Sequence, residues 1–209
     1  MELDPQNAPA GALGKIINGS VVPRPIAWVS TADSNGVRNL APFSFFNVAA
    51  HKPPTLLFCI EVRGTDGGVK DTYKNIIATK QYAINIVSEP LAEAMNLSST
   101  ELPPERDEFE VARLTPAACV RIKAPRVAES PVSFECELRQ VVPIGDGTPG
   151  SAWIMIGEIV YIHVADEIIN DKFYVDAQKL QAIGRLSGFG YTRTNDTFDM
   201  KRPPSQLAS

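Results

Sequence analysis

The segment PRPIAWVSTADSNGVRNLAPFSFFN, Pro23 to Asn47, sets two extended runs on either side of a turn and ends in a polar, aromatic cluster. Residues 25 to 31 are β-like. Asp33, Ser34, Asn35 and Gly36 follow and supply the positive-φ positions that a tight reversal needs, which predicts a hairpin. Along the first run Arg24, Ile26, Trp28 and Ser30 share one face and Ala27, Val29 and Thr31 the other, so one set must face a core. After Val37 the chain passes through Asn39, Ala41, Pro42 and Ser44 into Phe43, Phe45 and Phe46. Hydrogen-bonding side chains, a rigid proline and three rings in so short a span suit a flat, amphipathic ligand, although three phenylalanines taken alone read as core.

Working outward, the first strand is expected over Val21 to Thr31, with further extended segments at Val37 to Ala41 and Thr55 to Val62. Pro53-Pro54 bars a helix from starting before the latter, both of whose faces read as buried. Val69, Tyr73, Ile76 and Ile77 then fall on one face of an amphipathic helix whose start is marked by Gly67 and Gly68. Tyr82 to Val87 reads as a strand, and Ser88-Glu89-Pro90 opens a short helix carrying Leu91, Ala94 and Met95. Residues 98–115 are polar, acidic and proline-punctuated, the character of a variable insertion or lid. Val132 to Arg139 alternates cleanly, and Trp153 to Val164 is apolar on both faces, as a barrel strand that also meets another subunit would be. Gly184, Gly188 and Gly190 break the ending into a loop. Residues 1–14 read as an arm and 192–209 as a tail.

Composition narrows the classes of function. The chain has 209 residues, 44% apolar and 21% charged, enough for one ordinary core in a single domain. A formal charge of -4 argues against a general nucleic-acid or anionic-membrane surface. Cys59, Cys119 and Cys136 are odd in number and widely spaced with no C-x-x-C, so they read as buried free thiols rather than a disulfide framework or a zinc site. No signal-peptide pattern and no membrane-length apolar run is present, which makes a cytoplasmic protein the expectation.

Two motifs imitate other chemistries. Gly145-Asp146-Gly147-Thr148-Pro149-Gly150 matches G-x-G-x-x-G but leads into a strand-like run instead of a helix, so a hairpin turn is expected. Gly184-Arg185-Leu186-Ser187-Gly188 is not G-x-S-x-G, and hydrolase chemistry is unsupported. His163 shares a strand face with Trp153, Met155 and Tyr161 and reads as a core or interface histidine. His51 lies in a loop near the aromatic cluster, its role open.

Pro23 to Thr31 followed by Asn39-Leu40-Ala41-Pro42-Phe43-Ser44-Phe45-Phe46-Asn47 resembles the N-terminal half of the flavin reductase-like family of FMN-binding split barrels. The likeness continues at Lys70-Asp71-Thr72-Tyr73-Lys74-Asn75-Ile76, at Gly157-Glu158-Ile159-Val160, and at Lys179-Leu180 with Arg185-Leu186-Ser187-Gly188 and Tyr191. It spans roughly Leu13 to Pro203, with no family motif between Ser98 and Thr115. It implies a mainly β fold, an antiparallel Greek-key split barrel with a few short helices, as one domain over 1–209. It also implies a homodimer that binds FMN, uses NADH or NADPH as reductant, and admits a partner monooxygenase.

Carried onto these positions, the resemblance implies that Lys70 and Thr72 meet the FMN phosphate, with Asp71 capping or orienting. The residues alone support an anion there, because free backbone N–H groups and the positive dipole end gather at a helix start; a solvated lysine at an ordinary helix start is the plain alternative. By the same resemblance Ser30 and Thr31 are candidates for ribityl or phosphate contact. Ala41, Pro42, Ser44, Phe45 and Asn47 are candidates for the ring edge. Arg185 and Tyr191 are candidates to reach the neighbouring chain's pocket, or merely to pack over the dimer. Arg24 reads as a surface arginine and Trp28 as core or interface. The flavin would carry the chemistry, so no titrating catalytic side chain is required. A flavin-binding electron carrier or sensor, and a barrel that has lost FMN, are the competing readings.

Overall fold

The computed structural model describes residues 1–206. Helix α1 (Ala12–Ser20) precedes strands β1 (Ala27–Ala32), β2 (Arg38–Phe43), β3 (Phe46–His51) and β4 (Pro54–Glu61), and α2 (Asp71–Thr79) leads into β5 (Gln81–Ile86). Two short helices, α3 (Ala92–Leu97) and α4 (Glu108–Val111), and the two-residue strands β6 (Pro116–Ala117) and β7 (Arg126–Val127) come before the long strands β8 (Val132–Ile144) and β9 (Ala152–Val164). Helix α5 (Ala177–Leu180) and the hairpin β10 (Ile183–Arg185) and β11 (Tyr191–Arg193) close the sequence of elements.

The expected first hairpin forms, β1 pairing antiparallel with β2 from Ala27↔Phe43 to Ala32↔Arg38. Its turn is held by the Asp33 carboxylate, which accepts from the N–H groups of Asn35 and Val37 at 2.8 Å each, and by Gly36 at φ +87°. Seven strands make one sheet in the order β2-β1-β5-β8-β9-β4-β3. Although β2 and β4 stand five places apart in that order, their side chains meet: the Phe43 and Phe58 rings are 5.3 Å apart, and Phe58 lies 5.5 Å from Tyr82 of β5. A sheet whose two ends share one interior has curled into a barrel. Val29, Ile84, Met155 and Ile76 of α2 complete that core. This is the mainly β split barrel with a few short helices.

The opposite face of β1 and β2 is buried as well. Ile26, Trp28 and Leu40 pack outward against Met95 of α3, Phe109 of α4, Leu114 and Val127. Trp28 is fully buried there and its Nε1 donates to Ser98 Oγ at 2.8 Å, while Ser98 Oγ donates onward to the Met95 carbonyl. Within residues 98–115, Ser98 and the Glu108 to Leu114 end are packed on β1 and β2, while residues 99–106 are mostly exposed.

Other expectations are corrected. The first strand starts at Ala27, because the preceding residues are bound to Arg24, whose guanidinium donates to the carbonyls of Asn18, Val21 and Leu186 at 2.6, 2.9 and 3.0 Å. Arg24 is buried, not a surface residue. Strand β3 was not expected. Pro42 is tolerated within β2 because β2 is an edge strand. Helix α1 begins inside the segment read as an arm, and the glycine-rich ending is a hairpin joined to Arg24 by the paired backbone bonds of Arg24 and Arg185 at 3.0 and 2.8 Å. The tail has no helix or strand from Thr194 to Gln206, and its last three residues lie outside the described residues. All three cysteines are free, but Cys59 and Cys119 are only half-buried. Gly145 to Gly150 form the turn between β8 and β9. Among the described residues no helix is long and apolar enough to cross a membrane.

Candidate functional site

An open cleft with a cavity volume of about 150 Å³ lies where β2, the start of α2 and residues 98–102 converge. Ala41, Pro42 and Phe43 make one wall. At the other end stand Lys70, Asp71 and Thr72, joined by Asn39 and Arg63. Local sequence explains this end. Lys70 is the N-cap of the nine-residue helix α2, and no side chain caps the first turn, leaving its leading N–H groups for an external acceptor. The Lys70 ammonium lies 5.4 Å from the centre of the Phe43 ring, and among the described residues no carboxylate forms an ion pair with it. Thr72 Oγ1 accepts from Asn39 Nδ2 at 2.9 Å, which fixes the hydroxyl beside the helix start.

Arg63 is a cation that the sequence reading missed. Its Nη2 donates to the Val69 carbonyl at 3.2 Å and its Nε lies 3.2 Å from Asp66 Oδ1, so part of its charge is already answered within the loop that leads to α2. A Cβ on Gly68 would stand 2.8 Å from Arg63 Nη2, so the ends of the Arg63 and Asp66 side chains pack directly on this glycine and would have to shift for a larger residue. The signal was the arginine opening a glycine-bearing loop that ends at Lys70.

Three carboxylates also line the cleft, and each has a partner. Asp71 pairs with Lys74 at 2.8 Å, Glu101 accepts from Thr65 Oγ1 at 2.8 Å, and Glu108 accepts from the Leu40 N–H at 3.0 Å. Burial raises the Glu108 pKa above its usual value, the Leu40 hydrogen bond opposing it. The uncapped N–H groups, Lys70, Arg63 and the Thr72 hydroxyl fit an anionic group, and the Ala41 to Phe43 wall fits an apolar, flat one.

The remaining sequence candidates are elsewhere. Ser30 is fully buried on the outer face, donating to the Pro125 carbonyl at 2.6 Å and accepting from Asn85 Nδ2. Thr31 is fully buried and accepts from Asn75 of α2 at 3.0 Å. Neither reaches the cleft. Ser44 and Phe45 follow the cleft wall and meet Arg24, whose Nε is 3.4 Å from Ser44 Oγ and whose Cζ is 5.9 Å from the Phe45 ring centre. Asn47 is exposed and accepts from the Val48 N–H. Arg185 stacks on Tyr191 at 4.6 Å and donates to its hydroxyl and to the Gly188 carbonyl. This second group is tied through Arg24 to the ring-edge segment, and burial first, then the charge of Arg185, lowers the Arg24 pKa. His163 contacts Glu135 on the outside of the sheet, and His51 ends β3.

Fold and cleft together define a split-barrel protein with an anion-accepting helix start beside an apolar wall. The flavin reductase like domain model matches residues 19–183, and the chain belongs to that family. An uncharacterized protein of Aquifex aeolicus strain VF5 is 42% identical over 193 residues, 92% of this chain and 95% of its own. Among solved structures, nitrilotriacetate monooxygenase component B from Bacillus cereus superposes with a TM-score of 0.90 at 32% identity, covering 96% of this chain and 98% of that one. The 2-nitrobenzoate 2-nitroreductase of Pseudomonas fluorescens does so at 0.86 and 30%, covering 100% and 99%.

Proposed function

We propose that this chain is an FMN-binding oxidoreductase of the flavin reductase kind, a cytoplasmic homodimer with NADH or NADPH as reductant and a monooxygenase as one destination for its electrons. The observation that carries the reading is Lys70, a cation without a carboxylate partner at an uncapped helix start, opening onto the Ala41 to Phe43 wall. Bound there, the flavin supplies the hydride-accepting centre. The chain's own residues bind and orient. Lys70, Arg63, Thr72 and the first N–H groups of α2 hold the phosphate; Ala41 and Pro42 allow close approach of the ring; Ser44 and the backbone beyond it meet its polar edge. Positioning of this kind is the protein's contribution to hydride transfer, and no proton-transfer residue is needed at the reacting atom. Family membership and the likeness to a monooxygenase component B and a nitroreductase support the reading.

Anaerobic mixing of the FMN complex with NADH and, separately, NADPH tests it. Bleaching of the flavin absorbance with at least one of them is expected. An unbleached flavin with both would exclude the reductase and leave an electron carrier or sensor.

A further inference from the structure

Outside the cleft, Cys119, Glu135 and His163 bring a thiol, a carboxylate and an imidazole to one point, their ligand atoms all within 4.8 Å of one another. The three come from separate elements. Cys119 lies in the connection from β6 to β7, Glu135 on β8 and His163 on its neighbour β9. Cross-strand pairing sets Glu135 opposite Tyr161 and His163 opposite Ser133, so Glu135 and His163 are diagonal neighbours on one face, within reach of long side chains. His163 Nε2 lies 2.6 Å from Glu135 Oε1.

We propose that Cys119, Glu135 and His163 form a binding site for a zinc-class divalent cation on the outer face of the barrel. The donor set is thiolate, imidazole nitrogen and carboxylate oxygen, the mixture zinc accepts in tetrahedral geometry, with a water in the fourth position. Glu135 is fully buried, and its oxygens accept from the N–H groups of Val120, Arg121 and Ile122 at 2.7, 2.6 and 3.2 Å. Those bonds orient a ligating carboxylate in the way outer-shell partners do in metal sites, and they come from the residues directly after Cys119. Cys119 and His163 are half-buried, so a cation can enter from solvent. On binding, the Cys119 thiol proton passes to solvent, the His163 proton resides on Nδ1, and the thiolate and carboxylate balance the double positive charge. The cation would staple the connection after β6 to the β8–β9 pair.

The test is titration of full-length, chelator-treated and desalted protein with cobalt(II) under anaerobic conditions. The expected result is saturation at about one equivalent, with a thiolate-to-cobalt charge-transfer band and tetrahedral ligand-field bands that zinc abolishes. Cys119→Ser should lose the charge-transfer band, and His163→Ala should weaken binding by about 100-fold or more. Both substitutions keep Glu135 and its three backbone bonds, and far-UV circular dichroism checks the fold. Absence of the band in the unaltered protein, or an unchanged band in Cys119→Ser, would overturn the site and leave a hydrogen-bonded network. None of these readouts depends on flavin.

Discussion

Lys70 and Glu108 line the same cleft and behave in opposite ways. Among the described residues the ammonium has no carboxylate ion pair, whereas the carboxylate is buried and accepts from the Leu40 N–H. Removing the first should expose what it binds. Lys70→Ala is expected to weaken FMN by about 10- to 100-fold, the worth of one charged hydrogen bond, while riboflavin, which lacks the phosphate, is nearly unaffected. Equal losses for the two flavins, measured by fluorescence titration, would remove the phosphate assignment. Glu108 makes a prediction in pH. Its folded pKa is raised, mainly by burial, so the folded state holds its proton to higher pH than the unfolded state. Stability from this group is therefore greatest below the unfolded pKa and declines as pH rises through the folded one. Glu108→Gln keeps an acceptor for Leu40 without the charge, and is expected to be at least as stable as the natural protein at pH 7, the difference vanishing in acid. A variant less stable at pH 7 in urea melts would contradict the argument. The two residues also show what a sequence discloses. Lys70 at a helix start is local and was legible. The surroundings of Ser30 were not, since its partners Asn85 and Pro125 lie 55 and 95 positions away.

Among the elements, β5 and β9 depend on one another through a missing methyl group. Gly157 sits on β9, and a Cβ there would stand 1.9 Å from the Tyr82 hydroxyl and 2.7 Å from its Cζ. Tyr82 is fully buried, so the ring has nowhere to move without displacing Phe58. Gly157→Ala should destabilise the barrel by about 1–3 kcal/mol through overpacking, read as a lowered urea midpoint; the double variant with Tyr82→Phe should recover part of the loss. No recovery would show that the hydroxyl is not the obstacle. At this scale the long elements were legible, because the alternating runs of β1, β5 and β8, the two-sided apolar run of β9 and the period of α2 are written in consecutive residues. Strand β3 was not, since most of it is exposed at the sheet edge and its Val-Ala-Ala run has no alternation. Residues 98–115 misled for the converse reason. They are polar on average, yet Phe109, Ala112 and Leu114 are spaced so that a few buried side chains anchor the end of the segment over β1 and β2.

For the whole molecule, the end of β9 is left uncovered. Tyr161 and Ile162 on β9 are exposed, and Phe173, Tyr174 and Phe189 are exposed farther along. A second copy would cover it, and the proposed pocket gives that copy a task. The Arg185 and Tyr191 pair is outside the cleft of its own chain but joined through Arg24 to the ring-edge segment, so in the proposed dimer one contact would serve both assembly and the proposed flavin site. Sedimentation equilibrium should give about twice the 22.7 kDa chain mass. Ile162→Glu puts a charge into the proposed contact and should shift the protein to monomers with weakened FMN binding. Arg185→Ala should weaken FMN while the protein stays dimeric. These two variants separate assembly from ligand contact. A monomeric Ile162→Glu protein that binds FMN as tightly as the natural one would mean that each barrel completes its own pocket, and that the β10–β11 hairpin serves packing alone.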